Sequence, residues 1–432
     1  MRINQMTTVI YDTIHEDIVI ENQLIIDLIN TKEFQRLRHI KQLSTASFTF
    51  PDAEHTRFSH SVGVMSLAKK IGEKFEKDYP AKWSKEKTLL ATVAGLLHDI
   101  GHGAFSHTFE VLFNTNHEEF TCKIICDKFT QVNKVLESYK RGFAKQVADV
   151  IAHKSEHKDI TDLISSQLDA DRMDYLLRDC RFTGANYGMF DKNRIIRSMI
   201  LVDGRVAFKE SALKAIEAFI VGRYNMYQQI YFHRTNRGAV VVLQNMLKRA
   251  KDLYATNKDY FRMTSPRLIP FFDDNYDLND YMALDDHVMM AIFALWQNSG
   301  DEILSELAYN FYNRILPTSV IFEEPESDLD GFKAYIKSKG YGINYFTEVN
   351  KSFDLPYDVT HLDVTNPRTE IKILTYDGLI ELSQLSKLVK ELTATEYGDK
   401  RFFFPKELLD DPYVKELTAN GYYHPTKLRK EK

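Results

Sequence analysis

The stretch Leu96-Leu97-His98-Asp99-Ile100-Gly101-His102-Gly103-Ala104-Phe105-Ser106-His107 sets three histidines and a carboxylate into a turn that directly follows an apolar run. Residues 88 to 97 upstream are apolar and good helix formers, which predicts a buried helix ended by Gly101 and Gly103. His98 and Asp99 then fall in its last turn, against a hydrophobic wall. A carboxylate is costly there unless a cation or hydrogen-bond donors satisfy it. The two glycines allow the backbone to approach a ligand closely. The stretch therefore speaks for metal and phosphate chemistry rather than packing.

An adjacent His-Asp pair is common, and its partners along the chain give this one weight. Arg57-Phe58-Ser59-His60-Ser61-Val62-Gly63 opens an amphipathic pattern that continues through Val64, Leu67, Ile71 and Phe75. Downstream, Asp171, Tyr175 and Asp179 are spaced i, i+4, i+8 and share one helix stripe, with Leu176 and Leu177 pointing elsewhere. Two carboxylates and a phenol do not make a core face; a solvated acidic face is the alternative. Arg223, Tyr227, Tyr231 and Arg234 form a second stripe, with Met226 and Ile230 on the core side. Aromatic residues at such spacing are more often core than ligand.

His60, His98-Asp99 and Asp171, in that order, resemble the H…HD…D signature of the HD-domain metal-dependent phosphohydrolases. The segments Phe34 to Leu43, His55 to His60, Gly101 to His107, Asp171 to Asp179 and Arg223 to Arg234 resemble, in the same order, the deoxynucleoside triphosphate triphosphohydrolase (dGTPase-like) branch. The likeness runs to about residue 240. It implies that His60, His98, Asp99 and Asp171 hold one divalent ion. Two imidazoles and two carboxylates suit Mn, Fe, Ni, Zn or Mg, and a second Mg can arrive with a triphosphate. Such an ion activates water for hydrolysis at phosphorus.

The same resemblance puts His102, His107, Glu110 and His117 on the triphosphate and leaving-group side. Cleavage at the α-phosphorus expels a nucleoside 5′-oxygen that needs a proton, and imidazole titrates in the range to supply it. His107 is the favoured donor, with His117 and Glu110 orienting or relaying; an exposed helix start is the plainer account of His117. By resemblance Tyr175 stacks under the deoxyribose and Asp179, with Gln42, binds its 3′-hydroxyl. Arg172 reaches the phosphates, where the family often has lysine. Arg57, Arg223, Tyr231 and His233 match phosphate and base contacts, although a salt bridge to a site carboxylate would also explain Arg57. Regulated members carry a lysine and an asparagine in the first strand and an aspartate before the Phe-Gln-Arg-Leu-Arg motif. Thr8, Tyr11 and Asn30 stand in those places, while Gln35 and Arg38 match, so an activating nucleotide stays an open alternative.

Composition sets outer bounds. The chain has 432 residues, 44% of them hydrophobic, enough for a sizeable core and two or three domains. Its net charge of −5 gives no basic field, which argues against a nucleic-acid partner. Cys122, Cys126 and Cys180 form no CxxC pair, which fits a reducing cytoplasm. No apolar run reaches the ~18 residues of a membrane span, and Met1 to Gln5 lead into polar sequence without a signal-peptide core. A cytoplasmic location without membrane attachment is expected.

The predicted architecture is mainly α: a helical HD core with an N-terminal β-hairpin and a small α+β C-terminal domain. The hairpin spans 8 to 20, turning at about His15 to Asp17. Helical spacing recurs at 23–43, 61–76, 86–99, 117–130, 143–152, 160–179, 211–233 and 238–254. Strands are expected at 319–323 and 370–375, and helices at 328–339 and 379–392. The divisions are 1–45 (hairpin and first helix), 46–200 (HD core), 201–316 (helical extension completing the nucleotide site) and 317–432 (C-terminal domain, with a basic solvated tail at 427–432). The resemblance implies conversion of a deoxynucleoside triphosphate and water to deoxynucleoside and inorganic triphosphate by a homotetramer or homodimer. Cleavage of another nucleotide phosphoester and slow nucleotide sensing are the alternatives.

Overall fold

Strands Thr8–Asp12 and Glu16–Ile20 pair antiparallel, Thr8 opposite Ile20, around a turn in which Asp12 Oδ1 accepts the backbone N–H groups of Ile14 and His15, both at 2.9 Å. The computed structural model describes residues 7–323, 325–352, 356–358, 370–393 and 398–424. The expected features at 1–5 and 427–432 lie outside them.

The fold is mainly helical, and capping residues divide it more finely than hydrophobic spacing predicts. The pattern at 23–43 is broken into Gln23–Ile29, Lys32–Gln35 and a tight turn Arg36–His39, because Thr31 caps the second piece by accepting from the Phe34 N–H. The pattern at 160–179 splits into Lys158–Ile164 and Ala170–Thr183, where Asp169 accepts from the Arg172 N–H at 2.7 Å and Gly184 ends the helix at φ +72°. Apolar periodicity carries across both breaks because both halves bury the same face.

The main core gathers Leu67, Ile71, Leu96, Met173, Leu176 and Phe219 from helices Arg57–Asp78, Lys85–Leu97, Ala170–Thr183 and Leu213–Met226. A second core is strongly aromatic, with Phe109, Phe271, Tyr281, Phe293, Trp296 and Phe311 buried together. It is built largely by helices beyond residue 254, including Asp286–Trp296 and Glu302–Tyr312, to which spacing had assigned no individual element. A third cluster joins Val320, Phe332, Phe402 and Phe404.

The expected strands at 319–323 and 370–375 are present as Thr318–Ile321 and Lys372–Thr375, in different sheets. Thr318–Ile321 pairs antiparallel with Lys400–Phe404, which in turn pairs with Glu348–Lys351. Lys372–Thr375 pairs with Gly378–Glu381 and runs parallel to Arg205–Lys209, placing Phe208 beside Ile373. The expected helix at 379–392 is thus a strand to Glu381, followed by Leu382–Leu385 and Lys387–Thr393. Gly378, at φ +108°, allows the tight reversal that the helical reading overlooked. Among the described residues no helix is long and apolar enough to cross a membrane.

Two side chains pin the 98–107 turn between the cores. Arg36 donates to the Leu284 carbonyl at 3.1 and 2.8 Å and to the His102 carbonyl at 2.8 Å. Tyr281 donates to the Gly101 carbonyl at 2.8 Å, with its ring 3.6 Å from that of Phe120. Tyr281→Phe removes one buried hydrogen bond and leaves the Gly101 carbonyl unpaired, a loss of about 1–3 kcal/mol. A lower urea midpoint at unchanged slope is the expected result.

Candidate active site

Three helices meet at one floor. Helix Arg57–Asp78 supplies His60, the end of Lys85–Leu97 supplies His98 and Asp99, and helix Ala170–Thr183 supplies Asp171. His60 Nε2 lies 3.3 Å from His98 Nε2, 3.1 Å from Asp171 Oδ1 and 3.7 Å from Asp99 Oδ2. His98 Nε2 lies 3.5 Å from Asp171 Oδ1 and 3.4 Å from Asp99 Oδ1. The other ring nitrogens are engaged behind: His60 Nδ1 with Asp174 Oδ2 at 2.8 Å, and His98 Nδ1 with the Gly95 carbonyl at 2.9 Å. Both imidazoles thus carry Nδ1–H and turn Nε2 lone pairs to a common point, as metal-ligating histidines do. The donor set fits a divalent cation held by His60, His98 and Asp171, with Asp99 at its edge.

The electrostatics favour positive charge there. Burial alone would depress the His60 imidazole, but Asp171 and Asp174 override it and push its pKa up to about 10. Burial works the same way on His98, and Asp99 and Asp171 raise it. A cation entering this centre displaces protons.

Asp99 also pairs with Arg57, whose Nε and Nη2 donate to Ser106 Oγ at 3.1 and 3.0 Å. The salt bridge that offered the plainer account of Arg57 exists, yet Arg57 still lines the cleft. Ser106 reaches it because Phe105 and Ser106 take left-handed backbone, φ +53° and +49°. Gly101 and Gly103 do not serve close approach to a ligand as their place in the turn suggests. A Cβ on Gly101 would collide with the His117 carbonyl and the Thr121 amide, and one on Gly103 would lie 2.9 Å from the Tyr281 hydroxyl. Both accommodate the protein's own chain.

Beside the floor, Glu110 bridges two histidines: Oε2 to His107 Nδ1 at 2.8 Å and Oε1 to His117 Nδ1 at 2.7 Å, with the His117 backbone N–H also on Oε1 at 2.8 Å. Burial would raise the Glu110 carboxyl, and the two histidines hold it well below its usual range instead. His102 stacks on His117 at 3.9 Å and sits 3.4 Å from Asp99 Oδ1. Burial, reinforced by the Arg57 and His117 charges, keeps His102 neutral.

Gln42, Arg57, Asp99, His102, His107, His117, Asp171, Tyr175, Asp179 and Tyr231 line one cleft of about 560 Å³. One end of it is polar: Asp179 takes hydrogen bonds from His55 Nε2 and the Tyr231 hydroxyl, both 2.7 Å, and Gln42 Oε1 is buried without a partner. Arg172 lies behind, 3.8 Å from Asp169. Arg223 is buried, donates to the Pro356 carbonyl at 2.7 Å and packs over Tyr227 at 5.0 Å.

Two expectations are displaced. His233 accepts from the Thr235 N–H as the cap of helix Arg234–Tyr254 and lines a separate cavity with Phe50 and residues 183–187. Arg234 is exposed, because a π-turn at Tyr227–Tyr231 ends the helix and the expected stripe with it. Gln35 and Arg38 bond each other at 2.9 Å outside the cleft, Arg38 over the Phe58 ring. His55, Ser106 and Asp174 received no role from the sequence. Asp174 lies one turn past Asp171, a signal that was available.

The HD domain family matches residues 57–179, and the HD associated region matches 190–411. The chain belongs to the HD-domain family. The uncharacterized protein YwfO of Bacillus subtilis is 40% identical over 93% of this chain and 92% of its own. The deoxynucleoside triphosphate triphosphohydrolase SAMHD1 of Danio rerio is 26% identical over 91% of this chain and 71% of its own. A phosphohydrolase of Bacteroides thetaiotaomicron superposes with a TM-score of 0.80 at 25% identity, over 92% of this chain and 100% of its own. Family and donor set together make the chain a member of a hydrolase superfamily with a candidate metal centre. Asp171→Asn, nearly isosteric but uncharged, is expected to lower Mn²⁺ affinity about 100-fold or more in calorimetric titration while far-UV circular dichroism stays unchanged.

Proposed function

We propose that the protein hydrolyses deoxynucleoside triphosphates to deoxynucleoside and inorganic triphosphate. The observation that carries this reading is the alignment of Asp171, Tyr175 and Asp179 along one wall of a single cleft. Over about 12 Å of helix rise, the wall passes from metal ligand to aromatic face to hydroxyl acceptor. That order suits a nucleotide with its phosphates on the metal floor and its sugar against Tyr175. The name of the zebrafish relative supports the same substrate class.

A divalent ion on His60, His98, Asp99 and Asp171 would supply activation of water and polarisation of the phosphoryl group. The chain does the rest. Arg57, oriented by Asp99 and Ser106, binds phosphate oxygens. Attack of water at the α-phosphorus breaks the bond to the 5′-oxygen, which takes a proton from His107. That ring gives Nδ1–H to Glu110, and its side chain is 71% exposed, leaving Nε2 available to the leaving group. Glu110 thereby fixes the orientation of the ring. Tyr175 offers its face to the deoxyribose, and Asp179 with the unpartnered Gln42 Oε1 receives the 3′-hydroxyl. Tyr231 completes the sugar end, and Arg172, from behind the cleft, adds positive charge toward the phosphates. Assembly into a homodimer or homotetramer belongs to the same reading.

The decisive assay reconstitutes the protein with Mn, Fe, Ni, Zn or Mg, with and without oxygen. It presents the four dNTPs singly and in pairs and follows inorganic triphosphate by mass spectrometry. Triphosphate without pyrophosphate is the expected product; silence in every mixture from metal-loaded protein removes the assignment, and pairwise stimulation identifies an activating nucleotide. Tyr175→Ala is expected to shrink the preference for deoxyribonucleotides over ribonucleotides roughly tenfold, read as a ratio of kcat/KM values; an unaltered ratio counts against sugar stacking.

A further inference from the structure

The tip of the N-terminal hairpin reaches the carboxylate that orients His60. Asp174 is fully buried and accepts four hydrogen bonds: His60 Nδ1 at 2.8 Å and Arg178 Nε at 2.8 Å on Oδ2, and His15 Nε2 at 2.6 Å and Arg178 Nη2 at 2.9 Å on Oδ1. Arg178 turns its remaining nitrogens to Asp12, Nη1 at 2.8 Å and Nη2 at 3.2 Å. Lys192 Nζ donates to His15 Nδ1 at 3.0 Å and to the Ile14 carbonyl at 3.3 Å. Because lysine has only donors, it makes His15 Nδ1 the acceptor and fixes the ring proton on Nε2, where it serves Asp174. The two carboxylates, Asp174 and Asp12, are thus bridged by Arg178, and His15 stands between Asp174 and Lys192.

Space has been left for this network. A Cβ on Gly63, one turn after His60, would collide with Asp174 Oδ1 and Arg178 Nη2. An ordinary fold contact does not require a hairpin histidine and aspartate, each with about 5% side-chain exposure, to fill the last acceptor and donor positions around a metal-ligand's partner. Without His15, Asp174 Oδ1 keeps one donor, and the carboxylate, held by Arg178 and His60 alone, gains room to rotate about its bond to Cβ. That rotation tilts the His60 ring and takes Nε2 off the point it shares with His98 and Asp171.

We propose that His15 and Asp12 are positioning residues of the metal centre, acting through Asp174 and Arg178 on the His60 imidazole. The hairpin is thereby part of the site, and its docking sets how tightly the centre holds a divalent ion. This rests on the metal-site half of the functional reading and is independent of its substrate half.

The test is Mn²⁺ titration by calorimetry on the full chain, comparing wild type with His15→Ala, His15→Gln, Lys192→Met and the surface hairpin variant Val9→Thr, alongside melting curves of the metal-free proteins. His15→Ala is expected to weaken Mn²⁺ binding about tenfold, and His15→Gln, which keeps an N–H donor, to recover to within about threefold of wild type. Val9→Thr leaves affinity unchanged. A His15→Ala protein that melts lower but binds Mn²⁺ like wild type overturns the proposal, since a contact that merely holds the fold moves only the melting curve. If His15→Ala does not fold, Lys192→Met decides: it leaves the ring in place and removes the group that fixes its proton, and unchanged affinity overturns the proposal. Wild-type protein that takes up no Mn²⁺ overturns it as well. The two readings separate in the triphosphate assay. Wild type that binds Mn²⁺ and releases no triphosphate removes the substrate assignment alone, whereas triphosphate release with affinity indifferent to His15 removes the hairpin's role alone.

Discussion

The hydrogen bond from His60 Nδ1 to Asp174 is the constraint on which the rest of the site depends. A buried imidazole can turn a lone pair to a metal only if its other nitrogen has a fixed partner, and a buried carboxylate can be that partner only if its own lone pairs are satisfied. Meeting the second condition draws in Arg178, His15 and, through them, Asp12 and Lys192. Elements distant in sequence, the hairpin, two long helices and the short helix Lys192–Ser198, are thereby committed to one geometry. The ligands are few, and the polar groups holding them outnumber them.

The same logic explains what the sequence made legible. Chemistry that repeats at helix spacing could be read directly: the stripe Asp171, Tyr175, Asp179 lines one cleft with Asp99, and His60 and His98 meet Asp171 beneath it, because a helix converts spacing into direction. What depends on a break in periodicity could not. The π-turn at Tyr227–Tyr231 changes the register, so Tyr231 reaches Asp179 while Arg234 faces solvent. Thr31 and Asp169 cut helices that the apolar pattern runs straight through. The aromatic second core and the strand at Gly378–Glu381 owe their positions to long-range partners, which local spacing does not encode.

The two glycines of the central turn show how a correct motif can be given a wrong local cause. Both positions exclude a side chain, but what approaches them is the start of helix His117–Cys126 and the Tyr281 hydroxyl. The turn is therefore gripped from behind by the second core, and the exposed His107 and the anionic Glu110 project from a rigid base. Precision at the reacting end is obtained from packing at the far side, consistent with catalytic groups set on ordered elements.

The parallel pairing of Arg205–Lys209 with Lys372–Thr375 has a consequence for how the chain reaches its native state. The metal floor and its hairpin support are complete by Lys192, whereas the strand beside Phe208 is supplied by a segment made much later. Closing so long a loop is slow relative to forming the local helices. During synthesis the HD core emerges before the pair Met199–Val202 and Arg205–Lys209, whose open edge is covered only when Ile373 arrives. The strand Lys372–Thr375 is thus, in the order of synthesis, a late panel beside a site whose reactive groups were made long before it.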